Sequence, residues 1–266
     1  MEIHALSTGT VRVKESFLFA RSGPRRQVDI MLPGPWSGPL PIHLWVVEHA
    51  GRRLLVDTGE TASVRNVPFA RFDVGFDDEL PGALAGAGLG VADIDSVVLT
   101  HMHGDHMDGA VHTTLPVLVH DRELDFTRTF PARLAQRVFR QPVPDGVDFR
   151  PVALDGGPFG AFAESRALTD DGRILAVSTP GHTPGHMSIL CIDDDGRHVL
   201  LAGDATDTLE QLHARRADAV GPKPAVTIET IDRILAHGRE RPTVYLPSHD
   251  PQSVARLREG TTLAVG

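Results

Sequence analysis

Val97-Val98-Leu99-Thr100-His101-Met102-His103-Gly104-Asp105-His106 is the stretch that decides the reading of this chain. A short apolar run of the kind that forms a buried strand passes directly into three imidazoles and a carboxylate. Side chains two apart on an extended backbone share a face, so His101 and His103 point the same way. Gly104 lets the chain turn, and Asp105 and His106 follow as a second pair of donors. Neutral imidazole and carboxylate are the ligands that borderline divalent cations such as zinc prefer. One such loop can feed two metal ions about 3.5–4 Å apart, the spacing of binuclear hydrolytic sites.

Three more loops have the same construction. Thr179-Pro180-Gly181-His182-Thr183-Pro184-Gly185-His186 follows an apolar run ending at Val177. Ala202-Gly203-Asp204-Ala205 ends the run 198–202, and Pro247-Ser248-His249-Asp250 ends Val244-Tyr245-Leu246. Each sets a His or Asp just past a strand-like segment, beside glycine or proline. Strand ends at one edge of a sheet converge on a common cleft, so loops far apart in sequence can share a site.

Working outward, short β-type runs fill the first third: 10–13, 43–47 and 53–56, the last closed by Asp57-Thr58-Gly59. Residues 48–52 read as a hairpin connection. Residues 78–88 read as a short helix ending on glycine, and 94–99 as the strand entering the metal loop. Strands follow at 117–120, 174–177, 187–192 and 198–202. Val226, Ile228, Ile231, Ile234 and Leu235 recur at helical spacing over 225–238, which predicts a helix ending at Gly238. The pattern predicts an α/β chain with an αββα sandwich, two mixed sheets flanked by helices. Residues 1–266 read as a single domain, with 121–150 an Arg- and Phe-rich excursion covering the substrate site.

Composition excludes several roles. Hydrophobic residues make up 41% and charged residues 23% of the 266, an ordinary globular balance. With 26 basic against 35 acidic residues the net charge is -9, which repels phosphate backbones, so nucleic acid is not an expected partner. The one cysteine, Cys191, can form neither an intrachain disulfide nor a thiolate cage, and its apolar setting predicts a core thiol. No run approaches 18 apolar residues, so no membrane interaction is expected. The N-terminus shows no basic-then-apolar signal pattern, and a cytoplasmic location is the default expectation.

Taken together, the His-x-His-x-Asp-His run and its companion loops resemble the metallo-β-lactamase superfamily over roughly Trp45 to Asp250. The resemblance implies a first metal held by His101, His103 and His182, and a second by Asp105, His106 and His249, with Asp204 bridging. Two divalent ions per chain are implied, zinc first, with iron, manganese or cobalt as alternatives. Asp57 and His186 are expected to orient ligands from behind. His112 and His120 are expected to be packed or solvent-facing.

Within the superfamily, His103 separates the chain from the redox branch that carries glutamate there. Asp204 separates it from secreted β-lactamases with cysteine at that place. With a short stretch after His249, the helical domain of glyoxalase-II-like thioesterases is not expected. The remaining likeness is to N-acyl homoserine lactonases. A hydroxide bridging two metals would then attack the carbonyl of a lactone or related ester, with Asp105 passing the proton to the leaving alkoxide. That lactonase group places a tyrosine three residues after the bridging aspartate; here Asp207 takes the position. A carboxylate donates no hydrogen bond to a carbonyl unless protonated, so Asp207 would shape the reaction differently. Phe126, Phe130 and Phe139 are the expected apolar pocket for the acyl part of a small-molecule lactone or ester. A homodimer stands as an open option.

Overall fold

In the computed structural model, residues 1–20, 23, 25–139 and 141–264 are described. The backbone divides into two units: Met1–Lys14 with Pro33–Val152, and Glu15–Leu32 with Ala153–Gly266. Each unit contributes one mixed sheet flanked by helices, the α/β pattern read from the sequence. The second unit takes the two short helices of the N-terminal region, α1 (Glu15–Leu18) and α2 (Arg26–Asp29).

The first unit holds β1 (Glu2–Val13), β2 (Leu40–His49), β3 (Arg52–Val56), β4 (Ala70–Asp73), β5 (Ser96–Val98), β6 (Val117–His120) and β7 (Phe149–Val152), in the order β4-β1-β2-β3-β5-β6-β7. β1 is much longer than the 10–13 run the sequence suggests. Its register slips between Ser7 and Thr10, where Gly9 takes φ 95°, and this bulge interrupts the alternation that would have revealed the strand. The hairpin between β2 and β3 is also tighter than expected. Its turn is Ala50-Gly51 alone, with φ 51° and 74°, the left-handed pair that matches strand twist.

β3, β5, β6 and β7 run parallel, so the residues after β3 and after β5 emerge at the same sheet edge. Those residues are Asp57 and Thr100-His101. One sheet face packs Leu44, Val46, Leu55, Val97 and Val119 against Leu84 of α3 (Leu80–Gly86), Met107 of α4 (Gly104–Met107) and Leu124 of α5 (Asp121–Thr127). Each such side chain is worth about 1.5–3 kcal/mol on burial. The excursion 121–150 forms α5 and α6 (Phe130–Phe139) and then enters β7, the last strand of the sheet.

The second unit holds β8 (Ser165–Ala167), β9 (Ile174–Ser178), β10 (Met187–Ile192), β11 (His198–Gly203) and β12 (Thr243–Pro247), in the order β12-β11-β10-β9-β8. Only β11 and β12 are parallel in it, which brings the turns after Gly203 and Pro247 to one edge. α7 (Leu209–Ala214), α8 (Pro224–Glu240) and α9 (Ser253–Glu259) complete the unit. Leu212 of α7 and Ile231, Ile234 and Leu235 of α8 pack on Val177, Leu190, Leu200 and Tyr245. α8 runs through Gly238 rather than ending on it. The stop comes at Arg241, ahead of Pro242, because a residue before proline is pushed out of the helical region. Cys191 is a buried free thiol on β10, pushed up to about 12 by burial. Among the described residues no helix is long and apolar enough to cross a membrane.

Candidate metal centre

In the first unit, Asp57 organises the His-x-His-x-Asp-His loop. It sits at φ 61°, a strained conformation for a non-glycine residue, and is buried. Its Oδ1 accepts the backbone N–H of Thr100 at 2.7 Å, and its Oδ2 accepts the Thr100 hydroxyl at 2.9 Å and Nδ1–H of His106 at 2.9 Å. That fixes the tautomer of His106 and directs Nε2 away from Asp57, the carboxylate–histidine arrangement found behind metal ligands. Thr58 donates from both its N–H and its hydroxyl to the carbonyl of His106. Gly109 lies so close to the Thr58 carbonyl that a side chain there would overlap it, which holds the loop against the Asp57-Thr58-Gly59 turn.

His101 and His103 share a face, as the spacing requires. Their rings are 4.7 Å apart, with His101 Nε2 3.1 Å from His103 Nδ1, and the His106 ring is 4.1 Å from that of His101. Asp105 Oδ1 stands 4.0 Å from His106 Nε2. The loop has a further support that sequence reasoning missed: buried Glu123 of α5 accepts the N–H of Met102 at 3.1 Å. Glu60 and Asp108 form a second unforeseen feature, a mostly buried carboxyl pair beside Gly104. Burial and the neighbouring Asp105 carboxylate hold both above the ordinary carboxylate range.

In the second unit, His182 Nδ1–H donates to Asp218 Oδ2 at 2.9 Å, while its Nε2 faces Asp204 Oδ2 at 3.5 Å. His249 Nε2 reaches the same Asp204 oxygen at 3.4 Å. With metal–ligand bonds near 2.1 Å, the edge of a tetrahedral donor set is about 3.4 Å, so each separation suits one histidine and Asp204 on a common divalent ion. Burial works against charge on His182, but Asp218, then Asp204 and Asp207, outweigh it and raise the imidazole to about 9. His186 Nε2 accepts the backbone N–H of Asp204 at 3.0 Å, and its Nδ1 is 2.9 Å from Thr179 Oγ1.

Asp207 is buried, and burial, then Asp204 and Asp218, push its carboxyl up to about 7. Asp204, Asp207 and His249 each offer a ligand atom within 4.8 Å of the others. Tyr245, the sole tyrosine, is a core residue whose hydroxyl is 2.9 Å from Thr206 Oγ1.

The expected pocket phenylalanines are dispersed in their settings. Phe126 is part-buried on α5, Phe139 packs edge-on against Phe69 at 5.3 Å, and Phe130 is exposed. His112 pairs with Glu79 at 2.6 Å and His120 with Asp121 at 3.2 Å.

Residues 37–249 match the family model of the metallo-beta-lactamase superfamily. The probable metallo-hydrolase YflN of Bacillus subtilis is 32% identical over 133 residues, which span 44% of this chain and 47% of that protein. The N-acyl homoserine lactonase AttM of Rhizobium radiobacter is 22% identical over 274 residues, covering 97% of both. Among solved structures, an N-acyl homoserine lactone hydrolase with N-hexanoyl-L-homoserine at its catalytic metal centre superposes with a TM-score of 0.73 at 18% identity, over 98% of this chain and 96% of that one. AidC, a dizinc quorum-quenching lactonase, superposes with a TM-score of 0.64 at 17% identity, over 94% and 87%. With the family model spanning most of its length, the chain belongs to the metallo-beta-lactamase superfamily.

Proposed function

We propose that this chain is a metal-dependent hydrolase that opens a lactone, an N-acyl homoserine lactone or a relative of one. Its first ion would be held by His101, His103 and His182, its second by Asp105, His106 and His249, with Asp204 shared, and zinc is the metal we assign. The observation that carries the reading occurs once in each unit. A buried histidine has one ring nitrogen committed to a buried carboxylate, His106 to Asp57 and His182 to Asp218, which directs the other nitrogen away from that carboxylate. The likeness in fold to N-acyl homoserine lactonases supports the lactone substrate.

When bound, a divalent ion supplies Lewis acidity, activating water and polarising a carbonyl oxygen. The rest falls to the chain. Asp57 and Asp218 set the tautomers of their histidines, and His186 fixes the backbone at Asp204. Asp105, on a loop braced by Glu123, takes the proton from the attacking water and delivers it to the departing alkoxide. Asp207 puts a carboxyl where the lactonase pattern has a phenol, which favours a second reading in which the substrate is another ester, thioester or phosphoester.

The test is a panel. Metal-reconstituted protein is assayed against N-acyl homoserine lactones, simple lactones, aryl esters, thioesters and phosphodiesters, with a chelator-treated control. Chelator-sensitive ring opening is the expected result. Bound metal with no turnover of any ester would overturn the proposal.

A further inference from the structure

Asp207 is a buried carboxylate that nothing in the orienting network uses. Its side chain is 3% exposed, and its Oδ2 has no hydrogen-bond partner. The turn that carries it is held firmly. The Asp207 N–H donates to Gln211 Oε1 at 2.6 Å, the Thr206 hydroxyl donates to the Thr208 carbonyl at 2.9 Å, and Thr208 in turn caps α7 through Gln211 N–H. The carboxylate is therefore fixed by its backbone while its own oxygen is left unsatisfied. Such a group is costly when buried.

Its surroundings say what would satisfy it. The charges acting on it are Asp204 and Asp218, which repel it, and His182 and His249. Three carboxylates gathered in a buried space favour a cation among them. Asp204, Asp207 and His249 are all buried and offer ligand atoms within 4.8 Å of one another, two oxygens and one imidazole nitrogen. That is a hard-to-borderline donor set suited to a divalent metal ion. Asp207 also stands three residues after Asp204, so the two carboxylates come from one turn.

We propose that Asp207 is itself a metal ligand, adding an oxygen donor to Asp204 and His249. This rests on the reading of the centre as metal-binding, and it makes the donor set of this chain richer in carboxylate than the seven-ligand pattern of its resemblance. A harder, more anionic set binds its ion more tightly and lowers its Lewis acidity. It also occupies the position from which a phenol would touch substrate.

The experiment compares metal-free wild type, Asp207→Asn and Asp207→Glu. Each is titrated with Co(II) while visible absorption is followed, and zinc affinity is measured by competition with a chromophoric chelator. We expect Asp207→Asn to bind at least one equivalent about tenfold or more weakly and to shift the Co(II) spectrum, with Asp207→Glu recovering part of both. Melting of the metal-free forms separates this from misfolding: the Asn variant should melt no lower than wild type, since only a repelling charge has been removed. Should Asp207→Asn fail to fold, Asp207→Ser carries the same comparison. Unchanged zinc affinity and an unchanged Co(II) spectrum in Asp207→Asn would overturn the proposal. Wild type that takes up no metal at all would instead overturn the functional reading beneath it.

Discussion

Asp218 accepts the Nδ1 proton of His182 at 2.9 Å, with both side chains buried. The carboxylate is itself fixed, since its Oδ1 accepts the N–H groups of Val220 and Gly221 at 2.8 Å each. His182 is thus held in one tautomer by a group anchored to the backbone. Replacing Asp218 with Ala should weaken zinc binding by about 10- to 100-fold, the usual effect of removing a carboxylate behind a histidine ligand. Chelator competition measures it, and unchanged affinity would mean that His182 is not a ligand.

Asp57 plays the corresponding part in the first unit but with more at stake for folding. It accepts from the Thr100 N–H, the Thr100 hydroxyl and His106. An amide at this position must turn its NH2 toward one of those donors. Asp57→Asn should lower the stability of the metal-free protein by about 1–3 kcal/mol, the cost of a buried unsatisfied donor. Urea denaturation reads this directly, and a variant as stable as wild type would show that the loop does not depend on Asp57.

Asp204 faces both His182 and His249 through one oxygen. Truncating it to alanine removes the carboxylate both histidines share. We expect loss of one metal equivalent and a fall in kcat of at least about a thousandfold, roughly 4 kcal/mol of transition-state stabilisation. Near-normal turnover in Asp204→Ala would place the chemistry elsewhere.

His198 Nδ1 and His237 Nε2 lie 2.8 Å apart in the second unit, both buried, with Phe159 and Phe162 around them. Burial first, then His198 and Arg241, lower His237 to about 4. The folded pKa lies below the unfolded value of about 6.5, so the unfolded chain binds this proton first. Stability is therefore fully present above about pH 6.5 and is lost as pH falls toward 4, by up to about 3 kcal/mol. His237→Gln should flatten this part of the stability–pH curve, and denaturation at pH 7.5, 6 and 5 tests it. A variant with the slope of wild type would contradict the assignment.

The His-x-His-x-Asp-His loop and the mixed sheets were legible because strand, turn and donor lie together in short stretches. Asp218, Glu123 and the Glu60–Asp108 pair were not. Asp218 sits in a loop between α7 and α8, 36 residues after the histidine it serves, with no periodicity or motif to mark it. Glu123 acts through a backbone N–H, which no pattern of side chains records. The length of β1 was hidden by its bulge at Gly9, and the end of α8 was assigned to Gly238 although Pro242 held the stronger stop signal. A glycine inside a helix weakens it by only about 1 kcal/mol, which packing of Ile231, Ile234 and Leu235 readily offsets.

Metal content tests the central claim most directly. Protein purified without chelator, or reconstituted with zinc and desalted, should carry close to two equivalents of divalent metal per chain by elemental analysis. Stripping should abolish hydrolysis and lower the melting temperature, because an ion bound only by the native state stabilises it. A fully active protein with a single equivalent, or one whose activity and melting survive complete removal of metal, would contradict the account.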